Sequence, residues 1–254
     1  LADYGVFFDD YKIDLKKLNS KKSAVISGLS KGLGVLAKQR GVKVITGQGA
    51  FLSPNRLAVT SVDEIFEFSF EKAIIATGSE AVKLPGIIDD SRIMDSTSAL
   101  KLDDIPERLL IVGGGIIGLE MASAYGELGS RVTIVEAAPT LLAGVDSDLV
   151  APLEKSISKI TESIYKDARV TDVSSSSDSL TVTFGGENVP SKMIFDKILM
   201  AVGRKPNTEA LGLDSLGIEV SEEGFIEVDN LMRTSAANIF AIGDAIGQPM
   251  LAHK

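Results

Sequence analysis

Residues 109–120, LLIVGGGIIGLE, constrain the fold more than any other stretch of the chain. Four apolar residues read as a buried strand. Gly113, Gly115 and Gly118 then fall in G-x-G-x-x-G spacing, with a fourth glycine at Gly114. Residues 116–128 read as a helix, on which Gly118, Ala122 and Gly126 form one stripe of small side chains. RVTIVE (131–136) reads as a second strand and ends on an acid, Glu136. Each glycine has a separate job in such a strand–turn–helix. The first permits the tight turn, the second removes a Cβ so that a diphosphate can approach the backbone, and the third lets helix and strand pack closely. Free amides and the helix dipole then face the phosphates. Glu136 lies 23 positions after Gly113. A carboxylate there accepts hydrogen bonds from an adenosine ribose and repels a 2′-phosphate, and Ala137 and Ala138 supply no cation to reverse that. The pattern predicts a dinucleotide site for NAD rather than NADP, built on Gly113, Gly115 and Gly118 with Glu136. The bland alternative is a glycine turn that only joins a strand to a helix. Glu120 is open between two roles, because a carboxylate in a first helical turn also complements the dipole, by about 0.3–1 kcal/mol.

The rest of the chain alternates in the same way. Apolar Ile13, Leu15, Leu18, Val25, Leu29, Leu33 and Leu36 recur at helical spacing, which predicts a helix over 13–38 with one buried stripe, stopped at Gly41. VKVIT (42–46), RLAVT (56–60), IFEFSF (65–70) and KAIIATG (72–78) read as strands, with a turn at 54–55. Residues 79–107 read as an irregular linker. A further helix is expected over 147–160. ARVTDV, SLTVTF, KILMAVG, FIEVD and NIFAIGD read as strands, with the serine run 174–178 as a hairpin loop. Strands alternating with helices imply an α/β fold whose mostly parallel sheet is covered on both faces.

Composition narrows the chemistry. A net charge of -9 argues against nucleic acid or an anionic membrane as the main partner. With no cysteine, the chain has no disulfide framework and no thiol chemistry of its own. The sole histidine is His253. No apolar run is long enough to span a membrane. No catalytic residue and no metal-ligand set emerges.

Assembled in order, VKVITGQGAF, KAIIATGSE, LPGI, DSTSAL, LLIVGGGIIGLE, VTIVEAAPTLL, KILMAVGRKPNT, LGLDSLGIEV and the closing IEVDNLMRTSAANIFAIGDAIGQPMLAHK resemble the flavoprotein disulfide reductases. GQPMLAHK points to the dihydrolipoamide-oxidising branch, and the match is thinnest over 154–195. The resemblance implies a two-dinucleotide-binding-domain, Rossmann-like flavoprotein architecture, with a complete NAD domain and a partial FAD domain. Residues 1–95 would be the partial FAD domain, 96–206 the NAD domain and 207–254 the return to FAD. It also implies a central piece of a longer enzyme, whose other parts carry the redox cysteines, the first glycine fingerprint and a dimer-forming domain with a His/Glu pair.

The resemblance assigns roles at matching positions. Gly49 would pass close to the adenine end of FAD, and Thr77, Gly78 and Ser79 would line it. Asp244 would hold the ribityl chain, with Met250, Leu251, Ala252 and His253 along the flavin. Gly113, Gly114, Gly115, Ile116, Ile117, Gly118, Leu119 and Glu120, with Glu136, would hold NAD; Val170 would pack near its adenine, Gly203 near the nicotinamide half, and Glu120 beside nicotinamide and flavin. Taken alone, ATG is a strand and a turn, Asp244 an N-cap and His253 a surface residue. Arg204 either reaches the cofactor or caps a turn. The implied activity is oxidation of protein-bound dihydrolipoamide with NAD+ as acceptor. The implied partners are NAD(H), lipoyl-bearing proteins of 2-oxo acid dehydrogenase complexes and a second copy of the chain, in the cytoplasm or, in a eukaryote, the mitochondrial matrix. Without cysteines the chain as it stands is expected to be inactive. The alternatives are a stand-alone, non-catalytic NAD-binding module and a piece of another flavin disulfide reductase.

Overall fold

The computed structural model describes residues 12–250. In chain order its elements are α1 (Leu15–Gln39), β1 (Gln48–Ser53), β2 (Arg56–Thr60), β3 (Ile65–Ser69), β4 (Ala73–Ile75), β5 (Ser79–Ala81), β6 (Ile93–Asp95), α2 (Ser96–Ala99), β7 (Arg108–Val112), α3 (Ile116–Glu127), β8 (Arg131–Val135), α4 (Ser147–Ile157), β9 (Ser163–Tyr165), β10 (Arg169–Ser175), β11 (Leu180–Gly185), β12 (Lys192–Phe195), β13 (Lys197–Met200), β14 (Arg204–Pro206) and β15 (Ile239–Ala241). They form two compact units. Of the described residues, the first takes 12–33 and 83–203, the second 34–82 and 204–250. The expected boundary between 95 and 96 therefore falls inside the first unit.

The first unit is built on a five-stranded sheet in the order β6-β13-β7-β8-β9, parallel throughout. Leu109, Leu110 and Ile111 of β7 and Val132, Thr133 and Ile134 of β8 are fully buried. Alternation along the strands divides their side chains between two cores. Leu109, Ile111, Val132, Ile134 and Leu199 meet Leu119, Ala122 and Tyr125 of α3 and Val150 and Ile157 of α4. Leu110, Val112, Val135, Ile198 and Met200 meet Val173, Leu180, Val182, Phe184 and Phe195. Those last five belong to an antiparallel sheet, β10-β11-β12. Both faces of the parallel sheet are thus covered, one by helices and the other by a β-meander. Alternating Leu180, Val182 and Phe184 supply an apolar side that does the work of a second helix layer.

The small-residue stripe of α3 works as its spacing suggests. A Cβ on Gly118 would stand 2.0 Å from the Gly113 carbonyl oxygen, and one on Gly126 2.7 Å from that of Ile160. Tyr125 anchors the same helix, its buried hydroxyl donating to the Ala99 carbonyl at 2.7 Å.

The second unit holds the meander β1-β2-β3 and the pairs β14-β5 and β15-β4. Its core gathers Phe51, Ile75, Leu213, Ile218, Ile226 and Ile239.

Several expectations need correction. Helix α1 forms, but none of its residues is buried, and Leu29 and Leu33 are 68% and 69% exposed. The apolar period encodes a helix without naming what covers its face. VKVIT is not a strand: no described strand pairs with it, and Val44 is 73% exposed. The ladder begins instead at β1, through GAF, which pairs with β2. FIEVD makes only a bridge, Ile226 to Val220. The span 79–107 is no linker. It contributes β5, the edge strand β6 and the short α2, whose Asp95 carboxylate accepts from the Ser98 amide at 2.7 Å in a capping box. Within that span the Arg92 guanidinium, paired to Asp90 side chain to side chain, holds the Asp90 carboxyl down to about 2. Arg92 also donates to the Ser176 carbonyl at 3.0 Å, tying the segment to the tip of the β10-β11 hairpin.

One buried group is out of keeping with its surroundings. The Thr133 hydroxyl, in the middle of β8, has no hydrogen-bond partner among the described residues. A buried, unsatisfied hydroxyl costs free energy that an isosteric methyl would not. Thr133→Val is expected to raise unfolding stability by about 1 kcal/mol, read as an increased urea midpoint with unchanged slope.

Candidate functional site

In the first unit the predicted residues gather where β7 and β8 end. Val112 closes β7, and Gly113 turns the chain with φ +112°. A Cβ at Gly113 would lie 2.3 Å from the Ala201 carbonyl oxygen of the neighbouring strand's continuation. The positive φ and the close neighbour both demand glycine. The Gly113 amide donates to the Val135 carbonyl at 2.8 Å, which fastens the turn to β8. Gly115 is the N-cap of α3 and offers no side-chain cap to the first-turn amides. Nothing lies within 4 Å of a Cβ built at Gly115. Open space and uncapped amides at the same place are what a diphosphate needs, so the residues present fit a dinucleotide.

Glu136 is held, not loose. Its carboxylate accepts from the Gly114 amide at 2.6 Å and from the Ala138 amide at 2.7 Å. Val170, on β10, is partly buried and packs against the core that contains Val112 and Val135. Gly203 follows β13 with φ +134° and open space on its Cβ side. Ile116 and Glu120 are exposed on α3, while Gly118 and Leu119 are buried. The Glu120 side chain makes no hydrogen bond or ion pair among the described residues. With Ile116, Leu119, Ser123, Leu142 and Leu153 it lines an apolar cavity of about 260 Å³.

The second unit brings together another set. The Ser79 hydroxyl donates to the Asp244 carboxylate at 2.5 Å. Arg204 Nε donates to the same hydroxyl at 2.6 Å, and its Nη2 donates to the Ser79 carbonyl at 2.6 Å. The Arg204 guanidinium stands 3.9 Å from the Asp244 carboxylate. Antiparallel pairing of β14 with β5, Pro206 opposite Ser79, sets this register. The sequence leaves Arg204 open between cofactor contact and turn cap; the structure makes it the cation of a network with Ser79 and Asp244. The only signal available was its place directly after Gly203. Gly78 adopts φ +68° beside Ser79. Gly49 and Thr77 line a cavity of about 500 Å³ with Gln48, Asn207 and Thr208. Met250 is partly buried at the end of the described chain, and Leu251, Ala252 and His253 lie outside the described residues. Among the described residues no helix is long and apolar enough to cross a membrane, and no cluster of His, Asp or Glu suits a metal.

Comparison with known proteins agrees with this geometry. The profile of the pyridine nucleotide-disulphide oxidoreductase family matches residues 7–254. The dihydrolipoyl dehydrogenase of Vibrio parahaemolyticus is 43% identical over 100% of this chain, which covers 54% of that protein. That of Geobacillus stearothermophilus is 37% identical over 99% of this chain and 54% of its own length. The chain thus spans about half the length of the curated relatives it matches. Among solved structures, LpdA from Mycobacterium tuberculosis superposes with a TM-score of 0.86 at 30% identity, covering 96% of this chain and 54% of that one. The HOCl-induced flavoprotein disulfide reductase RclA of Escherichia coli, as its Cu(II) complex, gives 0.85 at 33% identity, covering 93% and 54%. The fold expected from sequence, α/β and Rossmann-like, is that of these flavoproteins. The family is one of FAD- and NAD(P)-dependent enzymes. With its glycine turn, parallel sheet and matched profile, this chain belongs to the pyridine nucleotide-disulphide oxidoreductase family.

Proposed function

We propose that the first unit is the NAD-binding part, and the second unit a portion of the FAD-binding part, of a dihydrolipoyl dehydrogenase that oxidises protein-bound dihydrolipoamide with NAD+ as acceptor. The observation that carries the reading is the pairing of an open, uncapped glycine turn with Glu136 at the end of the adjacent strand. Gly113, Gly115 and Gly118 shape the diphosphate seat, and Glu136 receives the adenosine ribose. Asp244, braced by Ser79 and Arg204, would hold the flavin side chain, with Gly49, Thr77 and Met250 along it. When bound, the nicotinamide supplies hydride chemistry; the protein's own task is to orient it and keep water away. The chain has no cysteine, so the thiol half of the reaction needs residues beyond this sequence. Lipoyl-bearing proteins and a second subunit are the partners this reading entails. Identity favours it over other flavin disulfide reductases: 43% to the Vibrio dehydrogenase against 33% to RclA.

The test is a titration of the protein with NADH and with NADPH, followed by nicotinamide fluorescence. NADH is expected to bind at least about tenfold more tightly, the worth of one charge-assisted hydrogen-bond pair set against a repelled phosphate. Equal affinity for the two nucleotides, or binding of neither, would remove the reading.

A further inference from the structure

The dinucleotide fingerprint requires glycine at 113, 115 and 118, and leaves Gly114 without a role. The structure supplies one. Gly114 is buried, and its peptide is clamped on both sides. Its amide donates to Glu136 Oε2 at 2.6 Å, and its carbonyl accepts from the Leu142 amide at 3.0 Å. A Cβ at this position would fall 2.4 Å from Leu141 Cδ2 and 3.2 Å from both Cβ and Oε2 of Glu136. A side chain here would press on the Glu136 carboxylate as well as on Leu141, and shift the carboxylate from its seat on the amide. The Ala138 amide takes the other oxygen, Oε1, at 2.7 Å.

A carboxylate offers about four acceptor positions, two on each oxygen. The two amides occupy one on each oxygen and leave one on each. The terminal torsion of a glutamate is otherwise broad and nearly two-fold. Fixing it before the ligand arrives removes an ordering cost from binding. The remaining acceptors then suit two hydroxyls on neighbouring carbons, one per oxygen. A phosphate on either hydroxyl would meet a carboxylate that cannot swing away without breaking a main-chain hydrogen bond.

We propose that Gly114 is a specificity-positioning residue: it touches no sugar, but holds the Glu136 carboxylate ready for an unmodified ribose diol. The inference rests on the NAD reading above and goes beyond it, because it places discrimination in the turn as well as in the acid. The experiment measures NADH, NADPH and 2′-deoxy-NADH affinities for the whole chain, for Gly114→Ala, and for Gly114→Ala in a Glu136→Ala background. Gly114→Ala should weaken NADH roughly tenfold, the worth of losing one charge-assisted orientation. It should leave the 2′-deoxy analogue and NADPH much less affected, so that the preference for NADH shrinks. With Glu136 already removed, the glycine substitution should cost nothing more. If Gly114→Ala does not fold, the Gly114→Ala/Leu141→Ala pair removes the 2.4 Å overlap and carries the same comparison. Equal losses for all three nucleotides, or a loss that persists without Glu136, would mean that the glycine only supports the fold, and would overturn the proposal. A parent protein with no preference for NADH would overturn the NAD reading instead.

Discussion

Gly118→Ala is expected to abolish nucleotide binding and to destabilise the first unit. The added methyl would lie 2.0 Å from the Gly113 carbonyl oxygen and 3.1 Å from its carbon. Both are main-chain atoms, so no rotamer change relieves the overlap. Either α3 moves off the sheet or the turn opens, and both displace the amides that face a diphosphate. Overpacking of this kind costs about 3 kcal/mol. Because the same displacement spoils the anion seat, NADH affinity should fall at least about 100-fold. Urea unfolding measures the first effect and fluorescence titration the second. A variant with wild-type affinity would show that α3 does not need to press on Gly113. Gly115→Ala is the contrasting control, since its Cβ meets nothing within 4 Å. It should keep the fold and weaken binding alone.

The second large effect concerns the face of the sheet that carries no helix. Phe195 is 2% exposed and packs edge-on against Phe184, with ring centroids 6.5 Å apart and planes at 86°. It stands between the β10-β11-β12 meander and the underside of β7 and β13. Phe195→Ala would leave a cavity that neighbouring strands, fixed by their ladders, cannot close. Such truncations cost about 4 kcal/mol. The amides of β10 to β12 should then exchange with solvent well before those of β7 and β8. A loss confined to a few tenths of a kcal/mol would mean that the meander is a dispensable cover.

The parts of this fold that were legible in the sequence are those whose partners lie close along the chain. LLIV and RVTIV are neighbours in one βαβ unit, and their β-branched, uninterrupted runs identify buried parallel strands. The SSSSD loop between two alternating segments identifies a hairpin. The failures have the opposite character. VKVIT has the composition of a strand and no strand partner among the described residues, whereas β1 carries a glycine and still pairs with β2, with one register shift between Phe51 and Ser53. Residues 93–95 looked like linker because a three-residue edge strand carries no periodicity. Pairing with β13 alone defines it. At the site, the glycines and Glu136 were readable because spacing encodes the turn. The bracing of Asp244 by Ser79 and Arg204 was not, because it depends on how β14 lies against β5. The same limit applies to α1. Its helical apolar spacing was plain, and the exposure of Leu29 and Leu33 was not.

The interleaving of the two units governs the order in which they can form. Residues 83–203 are continuous and carry every strand of the parallel sheet, so that unit can assemble as soon as its own segment is complete. The other must wait. Among the described residues β4 pairs with β15 alone, and Ser79 meets Asp244 across 165 residues of chain. During synthesis β4 therefore lacks this partner until residues 239–241 have emerged, and is exposed to wrong neighbours for that interval. Slow late folding, and aggregation that begins from the segment around Ile74 and Ile75, follow from the order of the strands.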